Sequence, residues 1–204
     1  MGNLVGIANN KLQVDDETGF EYPVQWRDEY VAGDYILPVG VAAPDLQNVT
    51  LGGVTTRMYG FDGGGTEERL SNSFEIPHDI DIDSLNDETL QIEWHAHYYP
   101  SGNLAGDVKW FLDYTVSKVN ATPTTETPLS CTKTIELNSQ YKHQICGTYI
   151  PKPTAGWGIG DVIVFNLRRT PSDAGDTYEE DALLIKTALH VPTNSRGSRQ
   201  IYIK

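Results

Sequence analysis

Residues Asp107–Val119 alternate with a period of two. Val108, Trp110, Leu112, Tyr114 and Val116 are apolar, and Lys109, Asp113, Thr115 and Ser117 are polar between them, with Phe111 the one exception. Side chains two apart on a β-strand share a face, so this run is a strand with one buried and one polar side. A strip of large side chains that long needs a second layer to cover it. Leu90–Tyr99 repeats the pattern, with Leu90, Ile92, Trp94, Ala96 and Tyr98 set against Gln91, Glu93, His95, His97 and Tyr99. Asp161–Thr170 and Asp181–His190 are further long strand candidates, and Tyr35–Val39, Val54–Phe61, Asn72–Pro77 and Ser198–Ile203 are shorter ones. Turn residues separate them at Gly63-Gly64-Gly65, at Pro100-Ser101-Gly102 and along Pro151–Gly160. No amphipathic helical segment exceeds two turns. The expected fold is all-β, an antiparallel β-sandwich of jelly-roll type over residues 51–204. Residues 1–50 hold Asp15-Asp16-Glu17 and several Gly and Pro but no long alternation, and are expected to form an irregular N-terminal arm.

A chain of 204 residues buries about 70% of its unfolded surface on folding, so it needs neither metal nor disulfide merely to fold. The net charge of −13 is concentrated in one half: residues 1–100 carry 18 acidic and 4 basic side chains, and residues 101–204 carry 10 and 11. Such an acidic half repels phosphate backbones, so no nucleic-acid partner is expected. No apolar run is long enough to span a membrane. The N-terminus lacks the pattern of a secretory signal, so the sequons at Asn48 and Asn120 carry little weight.

Candidate chemistry centres on His95-Ala96-His97. Both imidazoles and the Glu93 carboxylate project from one strand face, a start for a transition-metal site. Cupin enzymes use a His-x-His strand but need a Glu four or five residues later, where this chain has Ser101 and Gly102. His95 and His97 are therefore weak metal candidates, with a polar sheet face or subunit contact as the plainer reading. His78 and His190 are further imidazoles that the fold could bring near. Asp79-Ile80-Asp81-Ile82-Asp83 opens like a calcium loop but continues with Ser84 and Leu90 where Gly and Glu are required. It reads as a solvated acidic turn, as does the loop with Asp173, Asp176, Glu179, Glu180 and Asp181. No nucleophile elbow or activated Cys is present. The triglycine at 63–65 lacks the Lys-Ser or Lys-Thr of a phosphate loop and reads as a hairpin tip. No catalytic residue and no cofactor is indicated.

Several stretches stand in a fixed order: Ile76-Pro77-His78-Asp79, His95-Ala96-His97, Gly106-Asp107-Val108-Lys109-Trp110, Arg169-Thr170-Pro171-Ser172-Asp173 with Asp176-Thr177-Tyr178 and Asp181-Ala182, then His190 and Gly197-Ser198-Arg199. Taken together they resemble a family of small tailed-phage virion proteins. The likeness covers about residues 70–204. Tyr98 stands where the family often has Trp, and Thr170-Pro171-Ser172 interrupts its Arg-Asp pair. The resemblance implies a non-enzymatic head fibre, decoration or tail-associated protein. Such a protein would sit in the virion after assembly in the host cytoplasm, with other virion proteins (capsid, portal or tail) as partners. Homo-oligomerisation is expected, a trimer being the leading possibility.

Leu129–Leu137 and Gln140–Ile150 read as two strands meeting at Asn138-Ser139, which sets Cys131 opposite Cys146. A disulfide is geometrically allowed, but cytoplasmic assembly favours two buried thiols. The alternative function is a carbohydrate-binding module for host-surface recognition. It would use Trp157 in its Gly-Trp-Gly loop, or Tyr98-Tyr99, to stack on sugars, although a cap over the core is the plainer reading of Trp157.

Overall fold

A computed structural model describes residues 25–33, 36–40 and 42–193. The described residues form eleven strands and one short helix: β1 (Gln25–Ala32), β2 (Leu37–Pro38), β3 (Asp45–Leu51), β4 (Val54–Phe61), β5 (Glu68–Glu75), α1 (Ile82–Asn86), β6 (Ile92–Pro100), β7 (Gly106–Ser117), β8 (Thr127–Ile135), β9 (Gln144–Ile150), β10 (Val162–Arg169) and β11 (Ala182–Thr193). The long alternating segments became β6, β7, β10 and β11, as their periodicity requires. The candidate Ser198–Ile203 lies outside the described residues.

The strands build two antiparallel sheets. One has the order β3-β4-β11-β6-β9, with β1 also paired to β11; the other has the order β2-β5-β10-β7-β8. Strands β4 to β11 pair as a nested set, β7 with β8, β6 with β9, β5 with β10 and β4 with β11. That is one long folded hairpin rolled so that its pairs fall alternately in the two sheets, the jelly roll. β11 reaches β4 through Ala182–Leu184, breaks register between Leu184 and Lys186, and then pairs with β1 on the same side.

The core lies between the sheets. Trp94 and Trp110 are fully buried, and Phe61 and Tyr98 pack edge-on against Trp110 with ring centroids 4.9 and 5.4 Å away. Phe74 stacks on Phe165 at 4.8 Å. The Trp94 indole N–H donates to Thr187 Oγ1 at 2.7 Å, so this ring enters the core with its polar atom satisfied. Phe111, the break in the β7 pattern, points outward with the Arg168 guanidinium over its ring at 4.0 Å and Lys109 Nζ at 4.8 Å.

Four sequence expectations need correction. Of the irregular arm expected over residues 1–50, the described part from residue 25 is built into the sandwich: β1 and β3 belong to the six-stranded sheet and β2 to the other. The alternations of β1 and β3 are short and rich in charge, so little local distinguishes them from coil, whereas β2 falls within the expected strand Tyr35–Val39; residues 1–24 lie outside the described residues. β8 and β9 do not form a hairpin. They are the outermost strands of different sheets, because the segment between them turns over the end of the sandwich, with Asn138 at φ 61° and Tyr141 at φ 56°. For the same reason the triglycine is a crossover between β4 in one sheet and β5 in the other, rather than a hairpin tip. The cysteines are not free thiols: Cys131 of β8 and Cys146 of β9 form a disulfide with Cα atoms 5.8 Å apart. The sheets converge where these edges meet, and the bridge fastens one to the other.

Replacing Trp110 by Ala should lower the unfolding free energy by about 3–5 kcal/mol in urea. An unchanged midpoint would remove Trp110 from the core. Breaking the disulfide, which joins residues 15 apart, should cost about 3 kcal/mol. Urea melts of the oxidised protein and of a Cys131→Ala, Cys146→Ala variant measure this directly, and coincident curves would show that the bridge contributes nothing.

Candidate functional site

The two outer faces of the sandwich differ in chemistry. On the five-stranded sheet, charges pair off. Arg168 bonds to both Asp113 carboxylate oxygens at 2.5 and 3.1 Å and to Glu67 at 3.0 Å, and Arg69 bonds to Glu67 at 2.5 Å. On the six-stranded sheet, imidazoles and aromatic rings take that place.

The ladder registers define this second face. Tyr149 of β9, Glu93 of β6, His190 of β11 and Asp28 of β1 lie abreast, and the next row holds Gly147, His95, Ala188 and Tyr30. His97 lies between Ile145 and Lys186 in the row beyond. As the period-2 reading requires, His95 and His97 point away from the Trp94 core. They are not on a solvated surface, however. Only 8% of His95 and 9% of His97 is exposed, because Asp28 and His190 crowd His95 and the His143 ring stacks on His97.

Four of the five histidines meet here. The His95 and His97 rings are 4.8 Å apart, His190 lies 6.4 Å from His95, and His143 stacks on His97 at 5.0 Å. His97 Nδ1 and His143 Nε2 share a hydrogen bond of 2.9 Å, while His97 Nε2 is buried without a partner. Asp28 Oδ1 is 3.9 Å from His95 Nε2. Burial pushes the His95 pKa below its usual value, with Asp28 and Glu93 opposing and His190 and Lys186 reinforcing the shift. Burial also holds His97 down to about 4, aided by His95, Lys186 and His143. Both are neutral near pH 7. Among the described residues no group of three or more His, Cys, Asp or Glu is arranged to hold a metal ion, so His95 and His97 lack a third ligand there.

Three exposed aromatic rings rim the face. Trp26 is 45% exposed, Tyr30 64% and Tyr149 57%. Each ring on β1 is held by one neighbour: Trp26 by His190, with centroids 4.7 Å apart, and Tyr30 by Lys186 Nζ, 5.1 Å from its centroid. Of the aromatic residues anticipated from sequence, Tyr99 reaches the edge of this cluster, its ring 5.8 Å from that of His143, and the others are placed elsewhere. Tyr98 is fully buried in the core, and Tyr99 packs beside Leu183, Met58 and Val49. Trp157 is a cap: its backbone N–H donates to Asn86 Oδ1 at 2.7 Å, its carbonyl accepts from Asn86 Nδ2 at 3.1 Å, and its ring covers the core. Of the other imidazoles singled out, His190 joins the cluster, whereas His78 lies in the loop after β5, 3.8 Å from Glu75. Trp26, Asp28 and Tyr30 do alternate at i, i+2 and i+4, the only local signal that could have revealed them; nothing local ties His143 or Tyr149 to the site.

The acidic segments are not free solvated turns. Asp81 caps α1, accepting from Ser84 Oγ at 2.8 Å, and Asp79 pairs with Arg27 at 2.5 Å. Asp176 is buried against Arg169, and Asp173 pairs with Lys109 at 2.9 Å. Near the start of β5, burial raises the Glu68 pKa to about 7, and Asp62, Asp181 and Asp45 add to that rise.

No protein-family model and no curated protein matches the sequence. Among solved structures, the chain is similar to the CBM22-1–GH10 modules of the N-terminal endo-1,4-beta-D-xylanase 10B of Clostridium thermocellum, complexed with xylohexaose, with a TM-score of 0.43 and 10% identity. The match takes in 83% of this chain and 28% of the other, so the chain spans less than a third of that protein's length.

The histidine burial predicts how stability depends on pH. His97 has a lower pKa folded than unfolded, so the folded state binds fewer protons, and stability present above about pH 6.5 is lost as pH falls toward about 4. The loss should reach about 3 kcal/mol at most. A His95→Gln, His97→Gln variant should flatten this part of the profile in urea melts between pH 7 and pH 4. Parallel profiles for the two proteins would mean that these imidazoles are solvated.

Proposed function

We propose that the chain is a non-enzymatic structural component of a tailed-phage virion. The observation that supports this reading is that motifs carrying the resemblance, some 70 residues apart in sequence, pack directly on one another. Thr177 and Tyr178 donate their N–H groups to Asp107 O at 2.8 and 3.0 Å, and the Asp107 N–H donates to Thr177 Oγ1 at 2.9 Å. Lys109 N donates to Asp176 Oδ2 at 3.2 Å. Gly106 is glycine because a Cβ there would come within 2.7 Å of Thr177 O and 2.8 Å of the Tyr178 Cα. The Gly-x-Val-x-Trp and Asp-Thr-Tyr elements are thus one structural unit, which gives their joint occurrence a physical basis. In this reading the chain associates with itself, a trimer being the leading form, and with other virion proteins.

A second reading, as a carbohydrate-binding module, is supported by the three exposed rings on one sheet face. The first reading is tested on particles banded from a lysate of a host that carries this gene. Mass spectrometry of the washed particles should find the chain at the abundance of a structural protein, and its absence would overturn the assignment.

A further inference from the structure

The geometry points to the outer face of the six-stranded sheet as a binding site for a neutral oligosaccharide, seated between the Trp26–Tyr30 rim on β1 and the Tyr149 rim on β9. The inference rests on the second reading above and adds a site and a ligand class to it.

The rims are separated by three strand spacings, about 14 Å, because β6 and β11 lie between β9 and β1. Between them the middle row is low. It runs through Gly147, His95 and Ala188, and a Cβ on Gly147 would meet Trp94 O at 2.7 Å and the His95 Cβ at 3.0 Å. The outcome is a shallow trough with rings on two sides, wide enough for a short run of sugar units. Rings present flat apolar faces to the C–H surfaces of a pyranose, and their own polar edges tolerate the surrounding hydroxyls. Trp26 and Tyr30 each spend one contact on a neighbour in the sheet and keep a large exposed area, so they are ordered before any ligand arrives and lose little freedom on binding.

The polar groups beside the rings are Asp28, Glu93, His190 and Lys186, which offer both donors and acceptors to hydroxyls. Their charge decides the ligand class. The two carboxylates outnumber the single Lys186 ammonium, the imidazoles of His95 and His97 are neutral at pH 7, and the chain carries −13 overall. Lys186, the one fixed cation in these rows, already lies over the Tyr30 ring and is outnumbered by the two carboxylates, so anionic glycans are disfavoured. A protein partner is less well served, since Ile145 is the one exposed aliphatic side chain in these rows.

The test is binding of the full chain to an array of neutral and acidic oligosaccharides, followed by calorimetry on the best ligand with wild type, Trp26→Ala and Tyr149→Ala. A ring-signal titration of the wild-type histidines by NMR reports contact with the face without any substitution. Neutral ligands should bind, each truncation should weaken binding by about tenfold or more with the melting midpoint little changed, and the His190 signals should shift. Neutral-glycan binding that both variants retain, with unmoved histidine signals, would overturn the site while leaving the carbohydrate reading in place. Binding confined to acidic glycans would overturn the ligand class. No binding to any glycan would overturn both the site and the reading behind it. Concentration-dependent self-association abolished by either truncation, without glycan binding, would instead assign the face to a second copy of the chain.

Discussion

One end of the sandwich is organised by a single buried cation. Arg169, at the end of β10, is fully inaccessible, and its guanidinium has five N–H bonds. Nε and Nη2 take the two Asp176 carboxylate oxygens at 2.9 and 2.8 Å; Nη1 reaches Phe61 O at 2.9 Å and Glu180 O at 2.8 Å; and Nη2 also donates to Tyr178 O. These partners come from the end of β4, from the loop after β10 and from the approach to β11, so one side chain joins both sheets to the segment linking them. A charge so deep is tolerable only when every donor is met and its counter-ion is held too. Asp176 satisfies that condition by accepting from Lys109 N as well. The remaining geometry follows: with Asp176 anchored, Thr177 and Tyr178 lie along the start of β7, and Tyr178 OH reaches the Gly102 backbone.

Much of this fold was legible in the sequence, for a definite reason. Period-2 alternation reports which side of a strand is buried, so the pattern alone places Trp94, Trp110 and their face-mates in a core, with His95 and His97 opposite them. Alternation does not report which sheet a strand joins. The Asn138-Ser139 turn therefore suggested a hairpin between β8 and β9, although the chain uses that segment to pass from one sheet to the other. The burial of His95 and His97 was hidden for a related reason, since it depends on Asp28, His143 and His190, which are far away in sequence. Arg169 and Asp176 were visible only as parts of a motif, because nothing local separates a buried ion pair from an exposed acidic loop.

The two outer faces satisfy their polar groups in different ways. The five-stranded sheet pairs Arg168 with Asp113 and Glu67 and lays the same guanidinium on Phe111, leaving few groups to offer a partner. On the six-stranded sheet, neutral imidazoles form the floor, and the rings beside them are satisfied on one side only. That contrast arises from the residues two apart on β6 and β7, where one strand places His95 and His97 outward and the other places Lys109 and Phe111.

The pairing of β1 bears on the order in which the fold can be assembled. Its register runs from Gln25 opposite Thr193 to Ala32 opposite Lys186, and β11 also stands between β4 and β6. During vectorial synthesis β1 therefore has no ladder partner among the described strands until β11 has emerged, and the six-stranded sheet is completed only when residues 25–193 are available. The five-stranded sheet is completed one strand earlier: β7 and β8 are close in sequence, but β10 must emerge to join them to β5. Contacts of such long sequence separation form slowly. A nascent chain that has released β10 but not β11 would consequently hold one finished layer against an unfinished one, with an edge of β6 waiting for its ladder partner.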